Sequence, residues 1–276
     1  MQGHAEHQKR VVGTGVAALK TVYAMITTNC NLNCPHCDIK TDNVDDWNAE
    51  AFISQLDAND HNIIFGGEPS LHVDRVEEAA PYCDSISTNL LYLPDHLLKL
   101  YNEKLDVATS WNVKRFTPAQ YEQWLKNIQR LKRKPLLLIT ITPDLMNDSS
   151  FIDRVQEDFS LIFDSVSFEQ LHDGAKTQEY YDAVDSWLCS LYEEWENRKI
   201  PLYCNTFHSP WYFNCDNTYT LYPNGSMKYG CPEYQKAEVP ESCYSCTMAK
   251  TCRPCKLQCH CTAPKKLLTK LGICNL

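Results

Sequence analysis

No stretch of this sequence reaches the roughly 18 consecutive apolar residues that a membrane-spanning helix needs. The N-terminus also lacks the apolar core of a signal peptide. Both absences argue against a membrane-embedded or secreted chain, and the expected setting is the reducing cytoplasm. An excess of positive charge is missing too. Lys and Arg number 26 against 35 Asp and Glu, a formal net charge of -9, which argues against broad electrostatic binding to nucleic acid. After residue 200 long aliphatic runs are scarce, so that segment cannot build an ordinary hydrophobic core. What stands there instead is cysteine. The chain has 15 cysteines, ten of them after residue 200, and in a reducing compartment that density points to metal rather than disulfides.

The remainder reads as globular, with 43% hydrophobic and 11% aromatic residues in 276, enough for one large domain or one domain with an appendage. Residues 1-20 show little periodicity and read as an N-terminal arm. From Thr21 onward short apolar runs alternate with helical stretches. Strands are expected at 21-27, 61-65, 84-88, 105-110, 135-142 and 163-169, and helices at 47-57, 72-80, 94-102, 117-132, 149-158 and 176-198. That alternation predicts a parallel sheet with crossover helices, in which ligands bind at the carboxyl ends of the strands.

The first such end carries Cys30-Asn31-Leu32-Asn33-Cys34-Pro35-His36-Cys37. Three thiols on one loop, at spacing x3 then x2, can hold three irons of a 4Fe-4S cube and leave the fourth without a protein ligand. A structural zinc site would favour two pairs of ligands, and the spacing fits that poorly. The second end carries Phe65-Gly66-Gly67-Glu68-Pro69. Taken alone this is a tight turn; after a cysteine loop it is more. Together the two motifs resemble those of radical S-adenosylmethionine enzymes.

The resemblance implies a partial (β/α)6 barrel over 21-200, α/β in class, followed by a small cysteine-rich iron-sulfur domain over 201-276. It implies that Cys30, Cys34 and Cys37 hold the cluster whose open iron binds S-adenosylmethionine. Gly66 and Gly67 would let backbone carbonyls approach the cofactor's methionine ammonium, and Glu68 would add an acceptor or order the loop. After the third strand, Ser87-Thr88-Asn89 is similar to the family's Thr-Asn-Gly, with Leu90 in place of glycine. After the fourth, Ser110 and Asn112 stand where relatives bind the ribose hydroxyls. His36 stands where an aromatic usually flanks the last cysteine and would either pack on adenine or fill the loop. After the sixth, Glu169 and His172 would contact substrate, relay protons, cap a helix or face solvent. Cys83 and Cys189 read as small buried hydrophobes or, more sharply, as hydrogen-atom donors.

In the C-terminal segment Thr218 to Cys231 reads as a hairpin turning at Pro223-Asn224-Gly225. With Cys243-x2-Cys246-x5-Cys252 after it, the segment resembles the SPASM extension, which implies one or two auxiliary 4Fe-4S clusters. One would use Cys215, Cys231 and Cys255, with Cys204 as a fourth ligand. The other would use Cys243, Cys246, Cys252 and Cys274. Cys259 or Cys261 would serve if Cys255 does not, since the spacing to Cys255 is one residue short of the family's. A zinc knuckle built on Cys243 and Cys246 is the rival arrangement.

The implied chemistry is reductive cleavage of S-adenosylmethionine to a 5'-deoxyadenosyl radical, which takes hydrogen from an amino-acid-type carbon of a peptide or protein. Oxidation, crosslinking and isomerisation all remain open as outcomes. A flavodoxin or ferredoxin would supply the electron, and no membrane is involved. Leader-binding domains of peptide-maturing relatives lie ahead of the barrel, and twenty residues before the first strand do not hold one. Lys126, Arg130, Lys132, Arg133 and Lys134 form one basic cluster, and Arg253, Lys256, Lys265, Lys266 and Lys270 another. Both read as solvated surface, or as contacts for an alternative substrate, an amino-acid-like group on a nucleobase or nucleic acid. A non-catalytic iron-sulfur or zinc protein is the reading from another class.

Overall fold

Along β1 (Thr21–Thr27) Val22, Ala24 and Ile26 are fully buried while Thr21 and Tyr23 keep partial exposure. A period of two is what a strand shows when one face lies on the core. The same alternation recurs in β5, where Leu137, Ile139 and Ile141 are sealed between half-buried neighbours. The computed structural model describes residues 20-37, 39, 46-170, 177-208, 218-229 and 265-271. After β1 the chain runs through α1 (Ala49–Ile53), β2 (His61–Gly66), α2 (Val73–Ala79), β3 (Ser85–Thr88), α3 (Asp95–Glu103) and β4 (Asp106–Trp111). It continues through α4 (Pro118–Arg130), β5 (Leu136–Ile141), α5 (Pro143–Met146), α6 (Phe151–Arg154), β6 (Ser165–Gln170) and α7 (Gln178–Arg198). Between α6 and β6 a π-helical Val155–Phe159 leads into a last helical turn, Ser160–Ile162.

Strands β1 to β6 lie side by side in chain order and pair parallel throughout. Consecutive parallel strands joined by helices put those helices on one face of the sheet, and the core forms between the two layers. Ile64, Ile86, Ile139 and Phe168 from the strands meet Val76, Leu97, Trp124 and Trp195 from the helices. Each such side chain contributes about 1.5–3 kcal/mol on burial. Trp124 of α4 is fully buried, and its indole N–H donates to Thr109 Oγ1 at 3.0 Å. The largest side chain of the layer therefore leaves no orphaned donor. Helix α4 starts from a capping box, with Thr117 Oγ1 accepting from Gln120 N and the Gln120 side chain accepting from Thr117 N.

The sheet does not stop at six strands. β7 (Tyr203–Cys204) pairs parallel with β6 and is followed by α8 (Asn205–His208). The hairpin of β8 (Thr218–Leu221) and β9 (Met227–Tyr229) joins at the other edge, β8 running parallel beside β1. Its turn falls at Pro223-Asn224-Gly225, with Gly225 at φ 81°, and Pro223 O accepts from Asn48 N at 2.9 Å. α9 (Lys265–Lys270) docks on α7, where Asp185 accepts from Lys266 N at 2.8 Å and Leu267 N at 3.0 Å. A division of the chain at residue 200 therefore cuts through one sheet. The described parts of 201-276 share the barrel's hydrogen bonding and its core, where Cys204, Phe207, Leu221 and Leu267 are buried.

The first basic cluster is tied into the fold. Arg130 pairs with Asp95 at 2.6 Å, Arg133 with Asp106, and Lys134 with Asp164 at 3.4 Å. The Arg133 and Lys134 pairs sit where strands β4, β5 and β6 begin, at the end of the sheet away from the cysteine loop, and Arg130 reaches the first residue of α3. In the second cluster Lys266 reaches Ser186 Oγ at 2.8 Å and Lys270 pairs with Glu193; Arg253 and Lys256 lie outside the described residues. Among the described residues no helix is long and apolar enough to cross a membrane.

Candidate active site

The site begins where β1 and β2 leave the sheet together. Gly67 N donates to Thr27 O at 2.8 Å, and Glu68 N to Asn29 O at 2.6 Å. A Cβ at Gly66 would stand 2.3 Å from Thr27 O, and one at Gly67 2.1 Å from Asn29 O. Gly66 also has φ 141°, a conformation that side chains strongly resist. The two glycines are thus required first for seating the exit of β2 against the cysteine loop. Within that loop Cys37 N donates to Cys34 O at 3.3 Å, and Leu32 N points at Cys30 Sγ at 3.4 Å.

Glu68 is 1% exposed and fully engaged. Its Oε1 accepts from Ser70 N at 3.0 Å, Ser70 Oγ at 2.6 Å and Thr88 Oγ1 at 2.6 Å; its Oε2 accepts from Asn89 N at 2.6 Å. Of the two roles expected for it, ordering the loop is the one these bonds perform. Asn89 carries the linkage on, its Nδ2 donating to Asn31 Oδ1 at 2.6 Å in the cysteine loop. Leu90, standing where relatives have glycine, adopts φ 55° and is fully buried. A left-handed backbone is one that glycine adopts freely, and a leucine there bears a steric cost of about 1–2 kcal/mol.

These loops enclose one cleft. It is lined by Cys30, Cys34 and Cys37, by Leu32, Ile39 and Phe65, by Gly66, Gly67 and Glu68, and by Ser87, Thr88, Asn89, Ser110 and Arg115. All three cysteines of the motif and six further residues singled out from sequence meet there. His36 and Asn112 are not in its wall. Asn112 is 3% exposed and joins strands instead, its Nδ2 donating to Thr140 O at 2.9 Å and its Oδ1 accepting from Val113 N at 2.7 Å. His36 is half-buried on the outer part of the loop.

Arg115 is the residue that sequence reasoning missed. Lys114 takes a left-handed φ of 61°, and Arg115 N donates to Asn112 O at 3.2 Å, so the chain turns back after β4. The guanidinium carbon lies 5.6 Å from the Phe116 ring, and Nε is buried without a hydrogen-bond partner. A cation three residues past the end of Ser110-Trp111-Asn112 was the available signal. Ser87 and Phe65, quoted within motifs but given no role, also reach the cleft.

Burial raises the pKa of Cys30, opposed by the Leu32 amide and reinforced by the negative charges of Glu68, Cys34 and Cys37. Cys34 and Cys37 are therefore close enough to Cys30 to disfavour its ionisation, a situation that iron relieves. Among the described residues no three His, Cys, Asp or Glu side chains converge on a point suited to a single metal ion. A 4Fe-4S cube binds each cysteine through a separate iron, so its thiols stand further apart than the ligands of a single ion, and all three here border one cleft. The donor set fits a cube better than a mononuclear site.

Other expectations fall elsewhere. Cys204 is fully buried in β7 beside the hydrophobic core, its thiol pushed up to about 12 by desolvation, and the cysteines expected to share a cluster with it lie outside the described residues. Cys83 is likewise buried, its thiol pushed up to about 12 by desolvation. Cys189 lies on α7, behind the sheet. Neither borders the cleft. Cys215, Cys231, Cys243, Cys246, Cys252, Cys255, Cys259, Cys261, Cys274 and His172 lie outside the described residues.

No protein-family model matches the sequence, and no curated protein matches it. Solved structures do. The chain is similar to SuiB of Streptococcus suis at 13% identity with a TM-score of 0.56, over 78% of this chain and 60% of SuiB. SuiB bound to the precursor peptide SuiA matches at 14% identity and TM-score 0.58, covering 84% of this chain and 70% of that one. SuiB bound to S-adenosylmethionine matches at 13% and 0.59, covering 84% and 71%. In the first of these comparisons the chain spans less than two thirds of SuiB's length. What this chain shares with SuiB is the fold, a parallel sheet of strands joined by helices, like a radical S-adenosylmethionine barrel.

Proposed function

We propose that this protein is a radical S-adenosylmethionine enzyme that modifies a peptide. One observation carries the reading: three thiols, a Gly-Gly exit, a serine and an unpaired arginine, drawn from four strand ends, border a single cleft. SuiB, the structural neighbour, binds S-adenosylmethionine and a precursor peptide, and this supports both the cofactor and the substrate class. Bound in the cleft, a reduced 4Fe-4S cluster and S-adenosylmethionine supply a carbon-centred radical able to take hydrogen from an unactivated carbon of the peptide.

The chain's own residues then have separable tasks. Cys30, Cys34 and Cys37 hold the cluster as thiolates. Arg115, with its Nε unpartnered, pairs with the carboxylate of the methionine moiety, in keeping with the preference of guanidinium for carboxylate. Ser110 serves the ribose hydroxyls. Phe65 and Leu32 line the cleft with apolar surface and keep water from it. Glu68, Thr88 and Asn89 fix the loops so that these groups face one another. For the C-terminal cysteines we retain auxiliary 4Fe-4S clusters on Cys215, Cys231, Cys243, Cys246, Cys252, Cys255 and Cys274. A flavodoxin or ferredoxin is the reductant. The ion pairs that occupy Arg130, Arg133 and Lys134 count against the nucleic-acid alternative.

The test is anaerobic reconstitution with iron and sulfide, followed by incubation with dithionite and S-adenosylmethionine and detection of 5'-deoxyadenosine by mass spectrometry. Wild type should form it, and a Cys30→Ala, Cys34→Ala, Cys37→Ala variant should lose it together with about four irons per chain. A triple variant that keeps all its iron and still cleaves the cofactor would overturn the proposal.

A further inference from the structure

β6 carries one carboxylate, Glu169, that no described residue answers. Val166 and Phe168 turn into the helical layer and are buried, so Ser165, Ser167 and Glu169 lie on the opposite, inner face of the sheet. Register fixes the position. Ser110 pairs with Leu138 and Leu138 with Ser167; one pleat further on, Thr140 pairs with Glu169. Glu169 therefore shares a face with Ser110 of the cleft wall, about 10 Å away across the sheet and about 7 Å nearer the carboxyl edge. It is beside the cofactor cleft, not in it.

Its surroundings are unusual for a carboxylate. The side chain is open to solvent on this inner face, and desolvation by the protein around that face raises its pKa, with no other cause contributing. Among the described residues it has neither a hydrogen bond nor an ion pair, in contrast to Glu68 with its four donors. Of the cations on the nearest described loop, Lys114 pairs with Asp144 at 3.1 Å, and Arg115 turns into the cofactor cleft instead. A desolvated charge without a partner is costly and is relieved by an opposite charge. Among the described residues no cation reaches it, Arg115 lying in the wall of the neighbouring cofactor cleft, so an opposite charge brought by a ligand would meet it.

We infer that Glu169 is the subsite for a positively charged group of the substrate, an ammonium or guanidinium, bound on the inner face next to the cofactor. The inference rests on the peptide-modifying reading above and narrows it to peptides that present a cationic side chain at the reacting position or beside it. An aliphatic stem lies along the inner face while its charged end reaches the carboxylate. Loss of one partner from such a desolvated pair weakens binding by about tenfold or more.

Fluorescein-labelled peptides identical except for a central lysine, norleucine or glutamate test this by anisotropy on the reconstituted full chain. Wild type should bind the lysine peptide at least about tenfold more tightly than the norleucine peptide. Glu169→Gln should abolish that difference, and Glu169→Lys should reverse the preference toward the glutamate peptide. Equal affinity of wild type for lysine and norleucine peptides overturns the inference, as does a lysine preference that survives in Glu169→Gln. Loss of turnover in Glu169→Gln with all affinities unchanged would make the residue a proton acceptor and also overturns it. 5'-Deoxyadenosine is measured in parallel. If it is never formed while the lysine preference still depends on Glu169, the enzyme reading fails and this subsite stands; if it is formed and the preference ignores Glu169, the reverse holds.

Discussion

Asn89 Nδ2 donates to Asn31 Oδ1 at 2.6 Å, so the end of β3 is tied to the middle of the cysteine loop by two side chains 58 positions apart. Because the same Asn89 gives its backbone N–H to Glu68, three strand ends move as one. Replacing either amide should loosen that unit without unfolding it. Asn89→Ala and Asn31→Ala should each cost about 1–2 kcal/mol in urea unfolding and slow 5'-deoxyadenosine formation by about tenfold or more. The double variant should be little worse than either single one, since they remove one shared bond. Fully additive losses would show that the two amides act separately.

Gly67 makes a sharper case. A methyl group there would fall 2.1 Å from Asn29 O and 2.6 Å from Thr28 O, and both are backbone atoms that cannot move aside singly. Gly67→Ala should cost about 2 kcal/mol or more and lower the iron retained after desalting, because the displaced segment carries Cys30. Normal iron content together with normal thermal stability would contradict this account of the loop.

Leu90 reverses a familiar ranking. Alanine is ordinarily preferred to glycine, but at φ 55° a Cβ is strained. Both truncations of this fully buried side chain lose about 2–5 kcal/mol of packing. Leu90→Gly alone recovers the strain and should end about 1 kcal/mol more stable than Leu90→Ala. Urea titrations of the two variants side by side decide it.

The pKa of Glu169 is raised by desolvation, and the sign of its effect on stability follows. A carboxyl that binds its proton more tightly folded than unfolded contributes stability below the ordinary carboxylate range and loses it as pH rises through the folded pKa. Stability without peptide should therefore fall in wild type from about pH 4 upward by more than in Glu169→Gln. Unfolding curves collected at several pH values read this directly. Parallel curves for the two proteins would mean that the carboxyl titrates as if in water.

Much of this site was legible because its motifs are local. The span of β1 agrees with the run Thr21 to Thr27 read from apolar pattern, and the loops after β1, β2 and β3 carry the residues expected of them. Periodicity also located the other five strands of the central sheet to within two residues at each end. What was not legible depended on pairing between distant segments. Nothing in Thr218 to Leu221 announces that it will lie parallel to β1. Arg115 was hidden because its route into the cleft runs through a left-handed Lys114, a conformation that lysine does not advertise. Asn112 was misplaced for a related reason. Its amide serves the β4 to β5 junction, and a polar residue at a strand end looks the same from sequence whether it faces a ligand or a neighbouring carbonyl.

The pairing of β8 with β1 bears on how this protein can be dissected. A fragment ending at residue 200 would leave the strand that feeds the cysteine loop as a bare margin, with unpaired N–H and C=O groups open to other chains. Such a fragment would tend to self-associate and to lose its hold on iron. The hairpin of β8 and β9 thus belongs to the minimal folding unit of the sheet.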